Sequence, residues 1–199
     1  MKKILVVILS IFLVGSFLFA AEETSRLKLS ASVTEGPDNS GIRIVAGDKM
    51  EGITTPSGDE YRTYFNNLFA LSTNDLTVDA GDTVMSDDAS GDFSVLVFRS
   101  GVSAGSTITV NVSATPMKNE DGSSSYLPYK ISEKGSSNTV INTLGNPSAS
   151  TAGVSYIATT PSGTSGIRDI RVFEYLIPKA TYAEYGKYSA TIFFGITIE

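Results

Sequence analysis

The chain has no cysteine, no histidine and no tryptophan. Without cysteine it forms no disulfide and carries no bacterial lipoprotein anchor, so its stability must come from core packing and strand pairing. Without histidine it lacks the side chain that most often shuttles protons or holds transition metals. Losing thiol and imidazole together removes nearly all zinc, copper and haem chemistry. No Gly-x-x-x-x-Gly-Lys-Ser/Thr phosphate loop occurs. Basic residues are also scarce, 15 Lys and Arg against 21 Asp and Glu. A chain with that balance and no basic stripe is a poor ligand for nucleic acid or for anionic lipid, both of which demand clustered Lys and Arg. These absences predict a protein with no catalytic residues and no cofactor.

What is present begins with a leader pattern. Lys2 and Lys3 precede an apolar run from Ile4 to Phe19, relieved only by Ser10, Gly15 and Ser16; Ala20, Ala21, Glu22 and Glu23 follow. A basic start, a short apolar stretch and a small-residue exit make the pattern of a cleaved signal peptide. The alternative is an uncleaved anchor, but the run is short for a span of roughly 20 residues and no basic cluster follows it. Residues 1–20 are therefore expected to be a signal peptide and 21–199 a single exported domain, periplasmic, at the cell surface or extracellular, with no stable membrane insertion after cleavage. Loss of Lys2 and Lys3 leaves 13 basic against 21 acidic residues, a net charge of −8.

The remaining chain is cut into short pieces by Gly, Ser, Pro and Asn clusters such as 36–41, 54–58, 119–123, 145–153 and 159–163. Between them lies the two-residue period of half-buried strands. Leu27, Leu29, Ala31 and Val33 alternate with Lys28, Ser30 and Ser32; Ile42 and Ile44 flank Arg43. Phe93, Val95 and Val97 form one face opposite Ser94, Leu96 and Phe98, and Ile108, Val110 and Val112 repeat the pattern. Ile170, Val172 and Glu174 share a face opposite Arg171, Phe173 and Tyr175. The clearest case is the last, where Tyr188, Ala190, Ile192, Phe194, Ile196 and Ile198 line up, with Phe193 alone interrupting a polar opposite face. Each large apolar side chain contributes about 1.5–3 kcal/mol when buried, so this segment is expected to be a central or well-covered strand.

One stretch has the helical period instead. Tyr61, Tyr64, Phe65, Leu68 and Phe69 recur at helical spacing, and Ser57 and Glu60 have the spacing of a capping box after Pro56. A short helix near 59–70 competes here with an irregular strand. In either case the aromatics are expected to cover the core, with a ligand-stacking cluster as the sharper alternative. The whole predicts an all-β protein, an antiparallel immunoglobulin-like β-sandwich.

Carboxylates are the remaining source of chemistry. Asp79, Asp82, Asp87, Asp88 and Asp92 fall within fourteen residues. A glycosidase would need two of them across a sugar-sized cleft. Calcium suits clustered carboxylates better, with Asp82, Asp87, Asp88 and Asp92 as its candidates, but the spacing fits no EF-hand loop. A solvated acidic loop is the expected reading, and no metal is expected.

The segment Leu27-Lys28-Leu29-Ser30-Ala31-Ser32-Val33 resembles the alternating N-terminal segment of chaperone–usher fimbrial subunits of the coli-surface-antigen kind. Tyr185-Gly186-Lys187-Tyr188-Ser189-Ala190-Thr191-Ile192 is similar to the closing Gly-x-Tyr strand of those subunits and of spore-coat-U-like domains, and Ile108–Ala114 and Leu127–Ser132 follow a similar strand order. The penultimate tyrosine of many pilins is Ile198 here. The resemblance implies an immunoglobulin-like sandwich whose missing strand is supplied by a neighbour, with self-assembly or a secretion chaperone as the protein partnership. It assigns assembly to Leu27, Leu29, Ala31, Val33, Gly186, Tyr188, Ile192 and Phe194. Pairing of residues 27–33 within their own sandwich is the competing expectation. The function expected is therefore an exported, non-enzymatic structural or adhesive protein of fimbrial type. A module binding a small ligand or glycan, and a small outer-membrane barrel, are the alternatives.

Overall fold

Turn-forming clusters and alternating apolar runs resolve, among the described residues, into thirteen strands and one helix. The computed structural model describes residues 24–35, 40–48, 58–79, 87–102, 106–158, 166–180, 183–184 and 186–197. The elements in chain order are β1 (Thr24–Glu35), β2 (Ser40–Ala46), α1 (Gly58–Ala70), β3 (Asp75–Asp79), β4 (Ala89–Arg99), β5 (Ile108–Ala114), β6 (Met117–Asn119) and β7 (Tyr126–Leu127). They continue with β8 (Lys130–Glu133), β9 (Thr139–Asn142), β10 (Thr151–Ala152), β11 (Tyr156–Ala158), β12 (Ile167–Ile177) and β13 (Lys187–Thr197).

Two sheets pack face to face as a β-sandwich. The larger runs β10–β5–β13–β1–β3, with β11 also on β5 and the short β6 and β7 extending β13; the smaller runs β2–β4–β12–β8–β9. The sheets do not close into a barrel. All pairings are antiparallel except one: β1 lies parallel to β13, with Leu27 opposite Ala190 and Leu29 opposite Ile192. The sheets are otherwise antiparallel, as the expected all-β sandwich requires.

The period-2 faces point where alternation demands. Tyr188, Ala190, Ile192, Phe194 and Ile196 of β13 are all buried, while Phe193 stands on the solvent face. Flanked by β5 and β1, β13 is a central strand. Its Phe194 meets Phe93 of β4 and Phe173 of β12 at centroid distances of 5.9 and 5.7 Å, so three rings join the two sheets at mid-core. Tyr188 donates from its hydroxyl to the Glu184 carbonyl four residues upstream at 2.6 Å, fixing the entry into β13. Gly186 sits at the preceding turn with φ of 146°, where a Cβ would come within 2.6 Å of Asn119 Nδ2.

Of the two readings of the aromatic stripe the helix is the one formed, and it covers the outer face of the smaller sheet. Tyr61, Phe65 and Leu68 pack on Val45 of β2 and Leu96 of β4, with Phe98 and Ile170 at the margin. This explains why β4 carries large apolar side chains on both faces: Phe93, Val95 and Val97 face the sandwich, and Leu96 and Phe98 face α1. Gly41 in β2 suits the same packing, since a Cβ there would run into the Phe98 ring. Ser57 of the expected capping box is outside the described residues.

Both lateral gaps between the sheets are stitched by backbone. On one side Ile44 of β2 and Thr73, just before β3, exchange N–H···O bonds of 2.8 and 2.9 Å. On the other, Gly153 N–H donates to Val112 of the larger sheet and Val154 N–H to Val140 of the smaller, at 2.8 and 2.9 Å. The upper part of β12 receives a cap of another kind. β8 covers β12 only between Phe173 and Leu176. Higher up, the Tyr61 hydroxyl donates to the Arg168 carbonyl at 2.9 Å and accepts from the Ile170 amide, standing in for a strand. Burial, with Asp169 nearby, holds this phenol above its usual pKa. Tyr61→Phe strands both backbone groups and is expected to lower unfolding stability by about 1–3 kcal/mol. Urea denaturation checks this; an unchanged midpoint would mean the edge is capped by something else.

Candidate functional site

Of the residues assigned to assembly by sequence, Leu27, Leu29, Tyr188, Ile192 and Phe194 lie together in the larger sheet, and Gly186 sits at the turn before β13. Leu27 and Leu29 are 0% and 1% exposed, and Tyr188, Ile192 and Phe194 form the neighbouring inward face. Ala31 and Val33 take register positions opposite Phe194 and Ile196; their side chains are outside what the structure describes. β1 therefore pairs within its own chain, held by β13 on one side and β3 on the other. Its other face is solvated, with Lys28 3.8 Å from Glu120, a surface pair of small energetic consequence.

The acidic segment is dispersed by its contacts. Asp82 is outside the described residues. Asp87 and Asp88 are exposed, and Asp88 accepts from the Lys179 amide at 2.9 Å. Asp92 is taken by a clamp: Lys134, in the β8–β9 turn, donates to Asp92 Oδ2 at 2.9 Å and to Asp48 Oδ2 at 2.8 Å. Those two hydrogen bonds raise the lysine pKa. Among the described residues no group of three acidic side chains is placed to hold a metal ion.

Two spacings used by serine nucleophiles do occur in the sequence. Ser103 of Gly101-Val102-Ser103-Ala104-Gly105 is outside the described residues, and the chain has no histidine to serve it. In Ser25-Arg26-Leu27-Lys28, positions 25 and 28 fall on opposite faces of β1, so the lysine does not serve the serine.

The most concentrated chemistry lies elsewhere, at the corner where the upper half of β12 faces β11. Alternation on β12 places Asp169 and Arg171 on the same inward face as Phe173 and Tyr175. All three nitrogens of the Arg171 guanidinium donate there. Nε donates to Asp169 Oδ2 at 3.2 Å, Nη1 to Glu133 Oε2 of β8 at 3.3 Å, and Nη2 to the Ile157 carbonyl of β11 at 2.7 Å. Its plane lies over the Tyr156 ring, 4.5 Å from the centroid. One side chain thus joins three strands and both sheets. The Tyr156 ring packs against Phe173 at 5.7 Å. Its hydroxyl is buried with no hydrogen-bond partner among the described residues, although part of the residue reaches solvent. Burial first, and then the Asp169 carboxylate, push this phenol well above its ordinary pKa, against the opposing pull of Arg171. It is neutral at any physiological pH.

Beside this corner a cleft of about 380 Å³ opens between the β8–β9 turn and residues 154–156, walled by Glu133, Asn138, Thr139, Tyr156, Arg171 and Phe173. Sequence reasoning did not single out these residues. The available signal was two charges in phase with the buried aromatic face of β12; the partners on β8 and β11 come from 38 and 14 residues away. No family model matches the chain, and no curated protein matches it.

Proposed function

We propose that this chain is an exported, non-enzymatic structural or adhesive module, and in its finer form a fimbrial-type subunit. The observation that supports it best is the position of β1. An N-terminal strand close to the expected processing point supplies two fully buried leucines to the centre of the larger sheet, in parallel register with the C-terminal strand. A copy of the same strand from a neighbouring subunit would find identical partners, which is the chemistry of strand exchange. The leader pattern ending at Ala20–Ala21 supports export.

A disulfide trap tests the finer reading. Lys28 and Thr191 are cross-strand partners on the solvent face, and the chain has no cysteine of its own. Lys28→Cys with Thr191→Cys, expressed with the native leader, should yield protein starting at Ala21 and a ladder of cross-linked multimers on a non-reducing gel. Cross-linked monomers alone would end the fimbrial-type reading and leave a self-complete module. Protein retaining Met1 inside the cell would end the exported reading as well.

A second reading, an exported module that binds a small ligand or glycan, is favoured by the cleft beside Arg171.

A further inference from the structure

We infer that the cleft between the β8–β9 turn and residues 154–156 binds a neutral, hydroxyl-rich ligand of about one hexose unit, free or at the end of a glycan. This rests on the second reading above and gives it a chemical class. At about 380 Å³ the space is at the small end of ligand sites, which run from roughly 300 to 1,000 Å³.

Charge decides the class of ligand. Glu133 and Arg171, the two charged groups of the wall, pair at 3.3 Å, and Asp169 behind them holds the same guanidinium at 3.2 Å. An anion would have to compete with both carboxylates for the guanidinium, and a cation would have to share Glu133 with Arg171 and Asn138; a neutral ligand disturbs neither arrangement. The remaining polar wall is partly knit together: Asn138 Nδ2 donates to Glu133 Oε2 at 3.3 Å and the Thr139 hydroxyl lies 3.3 Å from Ser132 Oγ. That leaves the second Asn138 N–H, its carbonyl oxygen and the spare lone pairs of Thr139 and Glu133 to meet a ligand. Ser137 and Ser155 add hydroxyls, and the apolar part of the wall is the partly exposed Tyr156 ring and the 63%-exposed Val154, with Phe173 buried behind them. A pyranose has this same split between a C–H face and a hydroxyl rim, and an aromatic wall suits its C–H face.

The frame is rigid before any ligand arrives. The turn is closed by Glu133 N–H to the Asn138 carbonyl at 2.8 Å and pinned by Lys134 to Asp48 and Asp92. The opposite wall is tied to β9 through Val154 N–H to the Val140 carbonyl. Preorganisation of this kind spares a ligand the cost of ordering its site. Tyr156, whose buried hydroxyl has no partner among the described residues, belongs to the same wall; an uncompensated buried polar group is the kind of local penalty retained where a site needs it.

The experiment uses the ¹⁵N-labelled exported protein titrated with methyl glucoside, methyl galactoside and N-acetylglucosamine, with glucuronate, glucosamine and glycylglycine as charged probes. At least one neutral sugar should give saturable amide shifts at residues 138, 139, 155 and 156 in the millimolar range. Asn138→Ala and Thr139→Val, each retaining the wild-type melting temperature, should weaken that binding by about tenfold, the loss of one or two hydrogen bonds. Binding of the same sugar at the end of immobilised oligosaccharides would identify a glycan source, and binding of the free sugar alone a soluble one. Saturable shifts at the cleft from the charged probes only would overturn the hydroxyl-ligand inference while leaving a binding module. No shift from any probe would overturn both.

Discussion

Leu29→Asp is expected to unfold the isolated domain. Leu29 is 1% exposed, between Ile192 of β13 and Leu76 of β3. The substitution forfeits about 1.5–3 kcal/mol of apolar burial and places a carboxylate where desolvation costs several kcal/mol more. Domains of this size hold only about 5–15 kcal/mol in total. Circular dichroism should show either an unfolded chain or a melting temperature lowered by roughly 10–30 °C, at about 2–4 °C per kcal/mol. Lys28→Gln, one residue away on the solvated face, should change stability by less than about 0.5 kcal/mol. The pair of variants reads the alternation of β1 directly. A normal melt for Leu29→Asp would mean that β1 is not part of its own sheet.

The next largest effect is expected at Arg171. Replacing it with leucine keeps much of the volume but leaves Asp169 and Glu133 facing each other across a partly buried corner and frees the Ile157 carbonyl. Breaking a fully buried ion pair costs about 3–5 kcal/mol. These side chains are 11–26% exposed, so solvent screening lowers the figure, and about 2–4 kcal/mol is expected. That corresponds to a melting temperature lower by roughly 5–15 °C. Adding Glu133→Gln and Asp169→Asn should recover a large part of the loss, because the penalty lies in the stranded charges and not in the missing arginine. Equal losses in the single and triple variants would show that the corner is held by packing alone. The cleft lies against this corner, so residues 154–156 should also lose amide protection in hydrogen exchange.

Local periodicity is written in the chain, and it determined a good deal. The inward faces of β5 and β13 follow from strict alternation, since a one-residue slip would turn every apolar side chain to water. The helix follows from the spacing of Tyr61, Phe65 and Leu68, and the sandwich class from many short strands parted by turn residues. Even the outer face of β4 left a trace, because Leu96 and Phe98 broke a polar alternation that only a covering element could justify.

Strand partnership was decided by tertiary structure. Alternation shows that β1 has a face to bury, but not that it lies parallel to a strand more than 150 residues away, because pairing energy depends on which edges meet and not on either sequence alone. Asp169 and Arg171 fall in phase with Phe173 and Tyr175 in the sequence, but the sequence does not say what those two charges meet. They become a clasp only when folding brings Glu133 and the Ile157 carbonyl within reach of the Arg171 guanidinium, in a corner where a lone charge would be too poorly solvated to persist.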